Sequence, residues 1–153
     1  MEKINSDKAP EPVGAYPHAK KVGNLLFLSG IGPRKRDSKE IPGVTIDGHG
    51  NIKSYDIEQQ CHAVFENVKL ILEASGSSWE NLADVTVFLT NMKKDFPVFN
   101  KIYGQYFKNN QPCRTTVEVN ALPTPIAIEL KCIAVVWKFD SLIETVLQRN
   151  LYL

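Results

Sequence analysis

The apolar residues of this chain recur in two rhythms, and the switches between them mark out its elements. Over residues 55–74, Ile57, Cys61, Val64, Phe65, Val68, Ile71 and Leu72 fall three and four apart, one face of an amphipathic helix. Ser54 or Asp56 can cap its start, and Gly76 can stop it. A second stripe, Phe99, Ile102, Tyr103, Tyr106 and Phe107, predicts another helix, capped by Asp95 with Pro97 tolerated in its first turn. Residues 82–90 switch to alternation, with Val85, Val87 and Leu89 on one face and Thr86 and Phe88 on the other, as in a central strand. Further strands are predicted at 13–22 and 25–29, joined by a hairpin turn at Gly23-Asn24. A last pair, 115–121 and 126–137, flanks a Pro-Thr-Pro loop. Residues 34–54 are polar, with a turn at Asp47-Gly-His-Gly50 between short extended pieces near Val44 and Ile52. Residues 1–12, which hold Pro10 and Pro12, read as a flexible or extended lead-in.

This order predicts an α+β fold: a mixed sheet with two helices on one face, whose strand-helix alternation permits a parallel crossover. The 153 residues make one domain by length, here 1–139. Residues 140–153 form an extension. There Ser141 and Glu144 fit a capping box and Leu142, Ile143, Val146 and Leu147 form a helical face, so a short docking helix is expected.

Composition narrows the function. Eighteen Lys and Arg against seventeen Asp and Glu leave a net charge of +1, without the basic field of a nucleic-acid binder. The run Arg34-Lys35-Arg36 reads as a solvated loop. The three cysteines, Cys61, Cys113 and Cys132, show no Cys-x-x-Cys spacing and no histidine at zinc spacing, so reduced thiols and no metal are expected. His62 lacks a second ligand four residues on, where Glu66 stands, and is expected to face solvent. With no signal-like start and no apolar run of membrane-spanning length, a cytoplasmic protein without membrane partners is expected.

The candidate chemistry sits at the last pair of strands. Arg114 stands at the mouth of one, and Glu129 lies inside the apolar run of the other, so a cation and a carboxylate are expected on paired strands. A guanidinium matches a carboxylate with two parallel bonds, and a carboxylate among apolar neighbours is costly unless paired or used. The pair suggests an enzyme acting on an acid. A structural ion pair, or an edge-strand glutamate facing water, would give the same pattern. The bend at Gly30-Ile-Gly-Pro33 lets backbone amides approach a ligand, or is a plain turn. Asn100, beside the aromatic stripe, is expected to bond backbone or water.

Five pieces, Gly14-Ala-Tyr16, Leu28-Ser-Gly30, Phe96-Pro-Val-Phe-Asn100-Lys-Ile-Tyr103, Pro112-Cys-Arg114 and Ile128-Glu129-Leu130, occur in one order over more than two thirds of the chain. Together they resemble the reactive intermediate deaminase, or YjgF, family of small enamine and imine hydrolases. The resemblance implies a chorismate-mutase-like arrangement, with three subunits packing their sheets into a central barrel-like trimer and sites between subunits. It further implies a small carboxylate substrate, no metal or organic cofactor, Arg114 on the substrate carboxylate and Glu129 orienting water. Tyr16 matches the family's pocket tyrosine, Gly30 a backbone contact and Asn100 a helix amide near the pocket. Aromatic burial, a tight turn and a helix-surface amide account for these three equally well.

Two positions depart from the family pattern: Ile31, where relatives often carry glutamine, and Thr116, where they often carry cysteine. The altered version, in Ser29-Gly-Ile-Gly-Pro-Arg-Lys-Arg36, Ile41-Pro-Gly-Val44, Gln111-Pro-Cys-Arg-Thr-Thr-Val-Glu118 and Ala121-Leu-Pro-Thr-Pro-Ile-Ala-Ile-Glu129, resembles a branch of its own. That branch deaminates 2-aminomuconate, a six-carbon enamine with a carboxylate at each end, in the breakdown of aromatic compounds. A second carboxylate calls for a second cation, and Arg34 is the first choice, with Lys35, Arg36 and His18 nearby. A general deaminase of the 2-iminobutyrate or 2-iminopropanoate type, and a non-catalytic binding or chaperone-like protein, remain the alternatives.

Overall fold

The structure, a computed structural model, describes residues 1–38 and 40–137; the helix expected at 140–153 lies outside the described residues. The lead-in contains a strand that periodicity missed, β1 (Glu2–Ile4), too short to show alternation. It pairs antiparallel with β2 (Ala19–Val22), which turns through Gly23, at φ +62°, into β3 (Leu25–Leu28). The expected strand start at residue 13 is corrected to Ala19. Residues 13–18 instead form a tight bend in which the Tyr16 amide donates to the Gly14 carbonyl at 2.9 Å. Pro17 has no amide to add to a ladder there.

A small separate hairpin follows, β4 (Val44–Ile46) and β5 (Ile52–Tyr55), closed by the turn at Asp47. Helix α1 (Ile57–Ala74) is capped by Asp56, whose carboxylate accepts from the Glu58 and Gln59 amides at 2.9 and 3.2 Å. After a 3-10 turn at Trp79–Asn81, strand β6 (Leu82–Leu89) leads to α2 (Met92–Tyr106). Asp95 is not the cap of α2. Asn91 caps it by accepting from the Lys94 amide at 3.0 Å, and Asp95 lies inside the first turn, fully buried, accepting from the Tyr55 hydroxyl at 2.7 Å. Pro97 therefore sits in the second turn, where its missing amide removes a bond to the Lys93 carbonyl.

The last strands are β7 (Cys113–Glu118) and β8 (Ile128–Val135). They are not paired with each other. The sheet order is β1-β2-β3-β8-β6-β7, so β6 separates them. The α2 crossover brings β7 parallel to β6, and the chain then passes over the end of β6 to return β8 antiparallel on its other side. Along that connection the Val119 amide donates to Leu89 and the Thr90 amide to Ala127.

Alternation decides which face is covered. Leu26, Leu28, Val85, Val87, Leu89, Ile128, Leu130, Cys132 and Ala134 are buried against the two helices. Phe65 of α1 centres that layer, touching the rings of Trp79, Phe99, Tyr103, Tyr106 and Phe107. Truncating such a buried ring to alanine costs about 3–5 kcal/mol. Among the described residues the opposite face carries no helix and leaves Val22, Leu25, Phe27 and Val117 exposed beside Glu129 and Lys131.

Candidate functional site

After β3 the chain stays alongside β8 rather than leaving the sheet. Ile31 and Leu130 exchange both backbone hydrogen bonds, at 2.8 and 2.9 Å, which sets Gly30 against the Glu129 side chain. A Cβ on Gly30 would lie 2.9 Å from Glu129 Cδ, closer than carbon atoms approach. Gly30 thus makes room for a carboxylate.

That carboxylate lies in an open cavity of about 310 Å³, whose walls include Tyr16, Ser29, Arg34, Ile126 and Lys131. A smaller recess of about 30 Å³ continues beneath Tyr16 and Gly30 toward Pro10 and Pro12. Glu129 is half-buried and accepts no hydrogen bond from any described residue. Burial pushes its carboxyl above the ordinary glutamate range, and the Arg34 guanidinium opposes that rise.

Three side chains hold the walls. Ser29 donates its hydroxyl to the Pro17 carbonyl at 2.6 Å, tying the Tyr16 bend to the end of β3. Arg34, which lines the cavity, donates from Nη2 to the Glu11 carbonyl at 2.6 Å. The Asn67 amide of α1 donates to the Gly32 and Arg34 carbonyls at 2.9 and 2.8 Å and so fixes the loop that carries Arg34. Asn67 went unnoticed in the sequence, although a signal existed: an amide seven residues after Gln60 within the apolar stripe of α1. Gln60 plays the companion part, accepting from the Ala127 amide at 2.8 Å ahead of β8.

The other candidates for a second carboxylate, Lys35, Arg36 and His18, are engaged elsewhere. Arg36 donates to the Ala9 carbonyl at 2.9 Å and pairs with Glu11 at 2.8 Å, and Lys35 pairs with Glu40 at 3.3 Å. His18 is buried; its Nδ1 accepts from the Ser6 amide at 3.1 Å and its Nε2 donates to the Pro10 carbonyl at 2.9 Å. That pattern assigns the neutral Nε2–H tautomer. His18 is a clasp for the N-terminal segment and offers no free donor to an anion. His62, expected to face solvent, is exposed, and its Nδ1 bonds the Tyr106 hydroxyl at 2.7 Å.

Arg114 lies apart. It stands opposite Val85 of β6 on the helix side of the sheet, whereas Glu129 stands opposite Phe88 on the helix-free side. Two strand spacings and three residues of rise put the two Cα atoms about 14 Å apart. Arg114 caps Tyr103 at 4.5 Å from the ring centroid and donates from Nη1 to Asn100 Oδ1 at 2.9 Å, while remaining exposed. Asn100, expected to bond backbone or water, bonds Arg114 instead. Within one chain the predicted residues therefore form two groups: Tyr16, Gly30, Arg34 and Glu129 around one cavity, and Arg114 with Asn100 at the free β7 edge. Thr116, two residues after Arg114 on the same side, is left with a buried hydroxyl that has no partner among the described residues.

Fold and cavity define a small α+β protein with a charged recess of small-molecule size on the edge of its helix-free face. No helix among the described residues is long and apolar enough to cross a membrane. The family described as Endoribonuclease L-PSP matches residues 6–136. A RutC family protein of Pyrococcus horikoshii is 41% identical over 134 residues, covering 87% of this chain and 96% of that protein. Reactive Intermediate Deaminase A, chloroplastic, of Arabidopsis thaliana is 36% identical over 133 residues, covering 87% of this chain and 65% of that protein. Among solved structures, E. coli TdcF with bound serine is similar at a TM-score of 0.75 and 31% identity, covering 88% of this chain and 98% of that one. The chain belongs to this family, the one its sequence motifs resemble.

Proposed function

We propose that this protein is a cofactor-independent hydrolytic deaminase of enamine and imine acids, and that its substrate is 2-aminomuconate, converted to 2-oxohex-3-enedioate (4-oxalocrotonate) and ammonia. The observation that carries this reading is Glu129: a half-buried carboxylate with an elevated pKa and no hydrogen-bond partner among the described residues, facing a cavity that also holds a cation. Protonation of the enamine carbon gives the imine. Water then adds to the C=N carbon while Glu129 takes a proton from it and returns that proton to nitrogen; a second proton then passes from the new hydroxyl to nitrogen by way of Glu129, the C=O bond forms as the C–N bond breaks, and ammonia leaves.

The substrate's own carboxylate falls to Arg114 of the partner subunit. One chain keeps Arg114 and Glu129 on opposite faces, so a shared site needs the free β7 edge of one copy laid beside the cavity of the next. A homotrimer packed through the helix-free faces would do this and would cover Leu25, Phe27 and Val117. Tyr16 would pack on the substrate, Asn100 would hold the Arg114 guanidinium in place, and Arg34 would meet the second carboxylate.

The test is ammonia release, with loss of the conjugated absorbance, from enzymatically generated 2-aminomuconate. Turnover that Arg114→Ala and Glu129→Gln each abolish is the expected result, and normal turnover by either variant would remove its assigned role. The Arabidopsis relative's name and the serine in the E. coli relative favour a second reading, a general deaminase of small monocarboxylate imines. Equal kcat/KM on 2-iminobutyrate and on the diacid would establish that reading instead.

A further inference from the structure

Two residues after Glu129, Lys131 shares its face of β8, with the two Cα atoms about 7 Å apart along the strand. It lines the same cavity, is exposed, and forms no ion pair with any described residue.

Charge counting gives these positions a meaning. Arg34 and Lys131 against Glu129 leave the cavity lining within one chain with one net positive charge. Arg114 of the partner subunit would add one more, and two uncompensated cations match a ligand with two carboxylates. A substrate with one carboxylate would leave one cation without an anion in a site partly closed to water, which is unfavourable. Position 131 also lies on the helix-free face, where a lysine covered by another copy needs an anion to meet it.

We propose that Lys131 is a specificity-determining residue that binds the distal carboxylate of a dicarboxylate substrate, with Arg34 beside it. This rests on the deaminase reading above and goes further, in assigning the preference for diacids to one side chain that the sequence motifs do not include. The residue before it, Leu130, is the last of the family-like run Ile128-Glu129-Leu130.

The experiment compares wild type, Lys131→Met and Lys131→Arg on 2-aminomuconate and on 2-iminobutyrate. It also measures by calorimetry the binding of adipate and butyrate, which need no turnover. Loss of a charge-assisted bond predicts a fall of about 10- to 100-fold in kcat/KM for the diacid and in adipate affinity in Lys131→Met. Turnover of the small imine and butyrate binding should change less than about two-fold, and Lys131→Arg should restore most of the diacid preference. Equal losses on both substrates, or unchanged adipate binding in Lys131→Met, would overturn the proposal. Wild-type protein that binds adipate through Lys131 but deaminates neither compound would overturn the deaminase reading and leave the anion site standing.

Discussion

Replacing Gly30 by alanine tests whether the placement of the Glu129 carboxylate, rather than its presence alone, sets the rate. The added Cβ would lie 2.9 Å from Glu129 Cδ, and carbon contacts settle near about 3.5–4.0 Å, so the carboxylate must move by about 1 Å. A displacement of that size at a reacting group costs about 100-fold in rate, or about 2.7 kcal/mol in the barrier. The fold has little to lose. Gly30 is not among the residues with positive φ, and the group that must yield is the mobile end of a side chain. Turning Glu129 off its rotamer costs about 0.5–1.5 kcal/mol, against about 0.4–1 kcal/mol gained by restricting the unfolded chain. The melting temperature should therefore stay within about 2–4 °C of wild type, since about 1 kcal/mol shifts a chain of this size by that much. Thermal denaturation and ammonia release on one preparation make the assay. Full activity in a normally folded Gly30→Ala protein would refute the reasoning, as would a large fall in melting temperature, which would mean that Gly30 serves the fold.

Four further outcomes follow from the structure. The acid limb of kcat/KM should lie above the ordinary glutamate range, and Arg34→Gln should move it to still higher pH, because Arg34 holds the Glu129 carboxyl down; a limb that Arg34→Gln leaves in place would separate the two groups. The elevated pKa of Glu129 also means that stability contributed by its neutral form is present at low pH and lost as pH rises through the folded value, so Glu129→Gln should melt slightly higher than wild type at neutral pH while losing activity by about 100- to 10,000-fold. Mixing the inactive Arg114→Ala and Glu129→Gln chains by co-expression should restore part of the activity, since some sites then draw both intact residues from different copies; a mixture as inactive as its parents would mean that no site is shared. Asp95 has one carboxylate oxygen without a partner among the described residues and a pKa raised by burial, so the stability of its neutral form is lost as pH rises above the ordinary aspartate range. Asp95→Asn should accordingly raise the melting temperature at neutral pH, while Tyr55→Phe, which strips the remaining bond at 2.7 Å, should cost about 1–3 kcal/mol.

Both helices and the β2–β3 turn were legible in the sequence because each is written in local spacing. Asp56 as cap of α1, the stop at Gly76 and the split faces of β6 needed only neighbours within a few residues. The cap of α2 was misplaced because Asn91 and Asp95 both suit the role, and the choice fell to a distant partner: the Tyr55 hydroxyl draws Asp95 into the interior. Ordered motifs identified the family, since residues such as Arg114 and Glu129 are tied to particular surroundings rather than to a periodicity.

The sequence by itself determined the number and type of most elements, the apolar faces they bury and the family. Only the tertiary structure decided that β6 lies between β7 and β8, and with it that Arg114 and Glu129 look out from opposite faces. Strand neighbours are chosen by crossovers and by packing between segments far apart in the chain, which no short-range pattern records. The same is true of Asn67 holding the Arg34 loop, of Gly30 making room for a carboxylate ninety-nine residues away, and of Lys131 entering the cavity beside it.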